Sequence, residues 1–301
     1  MRLSAAYLLF ALAAGAPSAQ TLSALGLDGA GWAEPTPAAE LPAEGAAEPS
    51  APPSADAVPA LRVTRVEAGL RLERAGGGLP GGGGPTAAVI AVDRAGASWR
   101  LDVEHTARFG ETGVVAGVGY ARAFGRLRTA AFAGSSTAGL YHARLRTAGT
   151  VGVAVGARQQ VVLSGTLAYV DARDVHEDWV GTVEVAAYAA PDLVAQLGAQ
   201  LTHSDPGDAV GVAGVAAVTV GRPDARAVTA RARYGNEAYL LVAAPDGSFP
   251  DTDVAFRSAD AMLTWREPVT DALGVRLGAG VYVNPFYART LLEAGLSWTF
   301  R

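Results

Sequence analysis

Ionisable residues recur at every second position in several stretches of this chain. Ser98 to Phe109 reads SWRLDVEHTARF. Arg100, Asp102, Glu104 and Arg108 share one parity, while Trp99, Leu101, Val103, His105, Ala107 and Phe109 share the other. Further upstream, Arg65, Glu67, Arg71 and Glu73 repeat the pattern. Arg231 and Arg233, then Arg266, Arg276 and Glu293, continue it toward the end. Fixed charges of both signs along a wetted passage steer small solutes. The same groups could instead pair with one another and hold the wall together. Both readings stand at this stage. Because both signs occur, no ion selectivity follows.

Other chemistry finds little footing. There is no Cys, which excludes disulfides, thiolate metal sites and a Cys nucleophile. Ala75 to Pro85 reads AGGGLPGGGGP, but the Lys and Ser/Thr of a phosphate-cradling loop do not follow it, so a mobile outer loop is expected. Asp171 to Asp178 reads DARDVHED; its carboxylates match no calcium-loop spacing, and a solvated loop is expected with no metal. The four histidines are His105, His142, His176 and His203. His176 lies near Asp174 and His203 near Asp205, pairs able in principle to activate water or a serine. No hydrolase motif accompanies them, so neither an enzyme nor a cofactor is expected. The net charge of −5 and the lack of a basic tract argue against nucleic acid as a partner.

The elements that must position these charges are strands. A period of two places alternate residues on opposite faces. Leu193 to His203 shows it again, with Leu193, Ala195, Leu197, Ala199 and Leu201 opposing Gln196, Gly198, Gln200 and Thr202. The chain is 50% hydrophobic and only 18% charged, yet no spanning apolar helix follows the first residues. Alternating blocks of about ten residues separated by turn chemistry are the signature of a transmembrane barrel. The turns divide the region from Leu61 into about fourteen strands, with twelve to sixteen possible. Two places keep the number open: Leu140 to Thr147 reads as an extra strand, and Gly235-Asn236 as an extra turn. Short turns on one side and longer loops on the other fit an inner and an outer end. Trp99, Phe124, Trp265, Trp298 and Phe300 fall at inner strand ends, and Phe109, Tyr169 and Trp179 at outer ends, as headgroup-level girdles require.

The last stretch, TLLEAGLSWTFR, puts Leu292, Ala294, Leu296, Trp298 and Phe300 on one face. It resembles the terminal strand of bacterial outer-membrane β-barrels. The resemblance implies an all-β, antiparallel up-and-down barrel over residues 61–301, set in outer-membrane lipid. It also implies that Leu296, Trp298 and Phe300 form a signal read by the barrel assembly machinery. Arg301 departs from the pattern, which usually ends on the aromatic.

Ahead of the barrel, residues 1–20 read as a secretory signal with Arg2, an apolar run from Ala5 to Ala14, and small residues after it. An N-terminal membrane anchor is the alternative. Residues 21–60 are rich in Ala, Pro and Glu and read as a disordered periplasmic linker, solvated or contacting an envelope partner. The function expected is a passive, porin-like channel for small hydrophilic solutes. Its lining would be Arg65, Glu67, Arg71, Arg100, Asp102, Glu104, Arg108, Arg231, Arg233, Arg266, Arg276 and Glu293. The alternative is a structural or surface-interaction barrel with a filled lumen that binds another envelope component.

Overall fold

A computed structural model of the chain describes residues 61–76, 81–93, 96–108, 111–137, 143–156, 160–171, 177–205, 208–222, 225–240, 253–285 and 288–300. The expected signal and linker lie outside the described residues. So do Phe109, His142, Asp174, His176 and Arg301.

Strand follows strand without interruption. The order is β1 (Arg62–Ala75), β2 (Gly82–Val92), β3 (Ser98–Arg108), β4 (Glu111–Phe124), β5 (Leu127–Ser136), β6 (Leu145–Val155) and β7 (Val161–Asp171). Then come β8 (Glu177–Ala190), β9 (Leu193–Asp205), β10 (Ala209–Gly221), β11 (Ala227–Leu240), β12 (Asp253–Pro268), β13 (Leu273–Val283) and β14 (Ala288–Thr299). Each pairs antiparallel with its sequence neighbour, and β1 pairs with β14, so the sheet closes. In hydrocarbon every backbone N–H and C=O must be satisfied within the protein. Closure achieves this by leaving no free edge.

The seam runs from Arg65 opposite Thr299 to Ala75 opposite Arg289. The Phe300 N–H extends it by donating to the Thr64 carbonyl at 2.8 Å. The turns at one end are short. Gly125 and Arg126 alone join β4 to β5, and Gly125 takes a φ of 60°, which a tight hairpin requires and glycine adopts without strain. Pro191 and Asp192 alone join β8 to β9. The opposite end carries the long connection between β11 and β12. The two ends are thus a short-turn end and a loop end.

Both open points of strand counting are resolved. Gly235 and Asn236 sit inside β11, opposite Ser258 and Arg257 of β12, so the turn signal is overridden by an unbroken ladder. Leu140 to Thr147 contributes no separate strand among the described residues, and β6 begins at Leu145. The expected glycine-rich loop is corrected in part. Gly82 to Pro85 belong to β2 and lie opposite Glu73 to Leu70 of β1. Glycine is needed there because a Cβ on Gly84 would stand 1.8 Å from the His105 carbonyl oxygen on β3.

Candidate functional site

Burial alternates along the strands, and the two faces differ in kind. One face exposes Leu70 and Leu72 on β1, Leu101 and Val103 on β3, Leu197 and Leu201 on β9, and Leu292 and Leu296 on β14. Leu197 is 68% exposed, far too open for a core residue. Trp99, Phe124, Trp265, Trp298 and Phe300 are exposed on this face toward the short-turn end. Near the loop end, the Tyr169 and Trp179 rings pack with centroids 4.9 Å apart. An apolar belt bounded by aromatic rings is the surface that lipid requires. The chain is a transmembrane β-barrel.

The barrel's other face is concave and carries the charges. Contacts that skip a strand demonstrate the curvature. Arg100 of β3 reaches Glu67 of β1 at 3.2 Å, and Arg71 of β1 reaches Glu104 of β3 at 3.7 Å, both over β2. Inward curvature of the closed sheet shortens the gap across β2 that these side chains span. On the lipid face, each Arg at mid-bilayer would cost about 2–4 kcal/mol.

The inward charges fall into two linked networks. In the first, Arg65 meets Glu67 at 2.8 Å and Arg100 meets Asp102 at 2.7 Å. Arg71 pairs with Glu293 at 2.7 Å, Arg276 approaches Glu293 at 3.8 Å, and Arg289 approaches Glu73 at 3.4 Å. The second is centred on Arg233. Its guanidinium donates to Asp260 at 2.7 Å, to the Gln200 side-chain oxygen at 3.4 Å, to the Ser258 hydroxyl at 3.3 Å, and to Glu237. The Tyr282 hydroxyl donates to Glu237 as well, and Asn284 donates to that hydroxyl at 3.1 Å. Arg289 lies 5.4 Å from the Tyr282 ring centre and so links the two networks.

Accessibility separates the networks. The Arg233 side chain is 4% exposed, against 32% for Arg100 and 40% for Arg276. The Arg233 network is a packed cross-brace toward the loop end. The groups nearer the short-turn end remain open to the lumen.

Each expected lining residue on a described side chain lies on the inward parity: Arg65, Glu67, Arg71, Arg100, Asp102, Glu104, Arg231, Arg233, Arg266, Arg276 and Glu293. Arg108 ends β3, and its side chain is outside the described set. Sequence reasoning did not single out Asp260, Glu237, Tyr282, Gln200 or Arg289 as lining. The signal was present, since Glu237 shares the parity of Arg233, Asp260 that of Arg266, and Arg289 that of Glu293. Nor did it mark the apolar part of the wall, where Phe132, Ala148, Ala168 and Val180 of β5 to β8 form a buried cluster.

The histidine pairing is also different from the one expected. The His203 ring meets Asp208, not Asp205, with Nε2 to Oδ1 at 3.2 Å. The Asp is almost fully exposed, so the pair is a solvent-facing contact. In the acidic stretch, Asp171 accepts from Arg144 at 2.6 Å and Asp178 accepts from Ser204. At the short-turn rim, hydrogen bonding to the Glu267 carboxylate holds the Arg226 guanidinium above its ordinary pKa range.

No protein-family model matches the chain, and no curated protein sequence matches it. Solved structures do resemble it. One is the KdgM porin in complex with disordered oligogalacturonate, at 9% identity over 78% of this chain and 99% of that one, with a TM-score of 0.39. Another is an anion-selective porin from Comamonas acidovorans, at 8% identity over 80% and 100%, with a TM-score of 0.45. A third is the translocator domain of autotransporter NalP from Neisseria meningitidis, at 14% identity over 82% and 90%, with a TM-score of 0.40. These likenesses are of architecture.

Proposed function

We propose that the barrel is a passive channel for small hydrophilic solutes. The observation that carries this reading is the set of partly exposed inward charges on β1, β3 and β13, notably Arg100 and Arg276. Ionised groups with open surface need water beside them, and a column of water along the wall is a path for solutes. Transport of this kind needs neither a cofactor nor a chemical step. Fixed charges act by raising the local concentration of counter-charged solutes. On this reading Leu296, Trp298 and Phe300 serve assembly, and the linker at 21–60 extends into the periplasm, free to touch an envelope partner.

A second reading has its own support in the Arg233 cross-brace. Arg233, Glu237, Ser258, Tyr282, Arg289 and Leu291 are all buried to 5% exposure or less. A lumen packed in this way would make the barrel a structural or surface-interaction element. Single-channel recording of the refolded chain in a planar bilayer separates the two. Steady conductance whose ion selectivity shifts in Arg100→Ala and Arg231→Ala supports the channel. A folded barrel without conductance supports the filled lumen.

A further inference from the structure

The inward charges are not evenly distributed along the barrel. Toward the short-turn mouth, Arg266 lies two residues before the end of β12, Arg276 is the fourth residue of β13, Arg65 the fourth of β1 and Arg100 the third of β3. With β14 and β2 between them, these strands are consecutive around the wall. The four guanidinium groups act electrostatically on one carboxylate, Glu67. Asp102 is the second acid of the group, bonded to Arg100 and also within the field of Arg276. Glu293 approaches Arg276 at 3.8 Å as a third acid, so among these described groups four guanidinium groups face three carboxylates. Toward the loops acids gather on the buried arginines, with Glu237 and Asp260 on Arg233 and Glu73 on Arg289.

Excess positive charge on a wetted wall needs counter-anions, and the site can receive them. Arg100 and Arg276 keep about a third or more of their side-chain surface open. Arg65 spends one nitrogen on Glu67, while its buried Nε has no hydrogen-bond partner. Guanidinium donors on neighbouring strands match the several oxygens of a tetrahedral or planar oxyanion. A monovalent halide offers no such geometry.

We infer that the arc of Arg65, Arg100, Arg266 and Arg276 is a binding station for divalent oxyanions, phosphate groups or paired carboxylates, at the short-turn mouth. Its transport meaning rests on the channel reading; its binding rests on the mouth alone. The acidic section beyond makes the station one-sided, so anions reach it from the short-turn end and not from the loop end.

Calorimetry with inorganic phosphate on the refolded full chain in detergent tests the station whether or not the pore conducts. Phosphate should bind in preference to chloride. Arg266→Gln/Arg276→Gln should weaken binding by about tenfold or more. Glu67→Gln should tighten it, because a competing carboxylate is lost. A merely structural role would not produce opposite signs. Arg74→Gln, on the outer face of β1, should change nothing. Succinate in place of phosphate distinguishes a station for paired carboxylates from one for phosphate, and binding of either supports the inference. In a bilayer, phosphate added on the short-turn side should reduce chloride current more than phosphate added on the loop side. The inference is overturned if neither anion binds, if the double variant binds as well as the parent, or if Arg74→Gln loses as much as the double variant does. Equal block from both sides would likewise overturn its sidedness. Absence of conductance would remove the channel reading and leave calorimetry to decide the station.

Discussion

Arg71 and Glu293 face each other across the seam where β1 meets β14, with Nη2 and Oε1 2.7 Å apart. They are 222 residues apart in sequence, and they meet only because the sheet has closed. Both side chains are largely buried, and Glu104 at 3.7 Å is the next acid near Arg71. Removing the carboxylate therefore leaves Arg71 only its longer contact to Glu104 and takes an acid from Arg276.

Glu293→Ala should destabilise the barrel by about 2 kcal/mol, less than the cost of fully orphaning a buried charge because Glu104 still faces Arg71. Arg71→Met/Glu293→Leu should return to within about 1 kcal/mol of the parent, since packing replaces the pair. Equilibrium urea unfolding in lipid vesicles measures both. Equal losses in the single and double variants would show that the pair does not organise the seam.

The two faces should respond oppositely to one charge. Leu197→Arg on the lipid face of β9 should cost about 2–4 kcal/mol. Gln196→Arg, one residue away on the lumen face, should cost less than about 1 kcal/mol. The same unfolding measurement compares them. Similar costs would contradict the assignment of faces.

Gly84 and Gly149 make a matched pair of glycines. A Cβ on Gly84 would collide with the β3 backbone at His105, whereas one on Gly149 meets nothing within 4 Å. Gly84→Ala should cost at least about 2 kcal/mol, and Gly149→Ala should stay within about 0.5 kcal/mol. Heat-modified mobility of the folded band on a gel reads the difference. A stable Gly84→Ala barrel would mean that β2 and β3 can separate there freely.

The terminal strand should matter more for assembly than for the finished barrel. Trp298→Ala and Phe300→Ala should slow the appearance of folded barrel in cells, followed by pulse-chase. The refolded variants should still close β14 onto β1. Unchanged assembly kinetics would remove the signal reading of Leu296, Trp298 and Phe300.

The fold was legible because lipid enforces alternation strictly. Leu101 and Val103 must face out and Arg100 and Asp102 must face in, so parity alone assigned the faces. It was less legible where glycine carries no parity, as at Gly82 to Gly84, which read as loop but pair with β1. At Gly235-Asn236 the local turn preference lost to the ladder on both sides. Inward placement could be read from sequence, but partnership could not. Arg100 chooses Glu67 over β2 because of the curvature of the closed sheet, and linear spacing does not encode curvature. The Arg233 brace joins β9, β11, β12 and β13 for the same reason, and no local motif announces it.

Single-channel conductance of the refolded barrel, with Arg100→Ala and Arg231→Ala beside the parent, tests the channel reading most directly. The account predicts steady ohmic steps in the parent, and a reversal potential that moves toward cation preference in each variant as fixed positive charge is lost. A barrel that resists heat on a gel yet passes no current would contradict it, and would assign the lumen to packing.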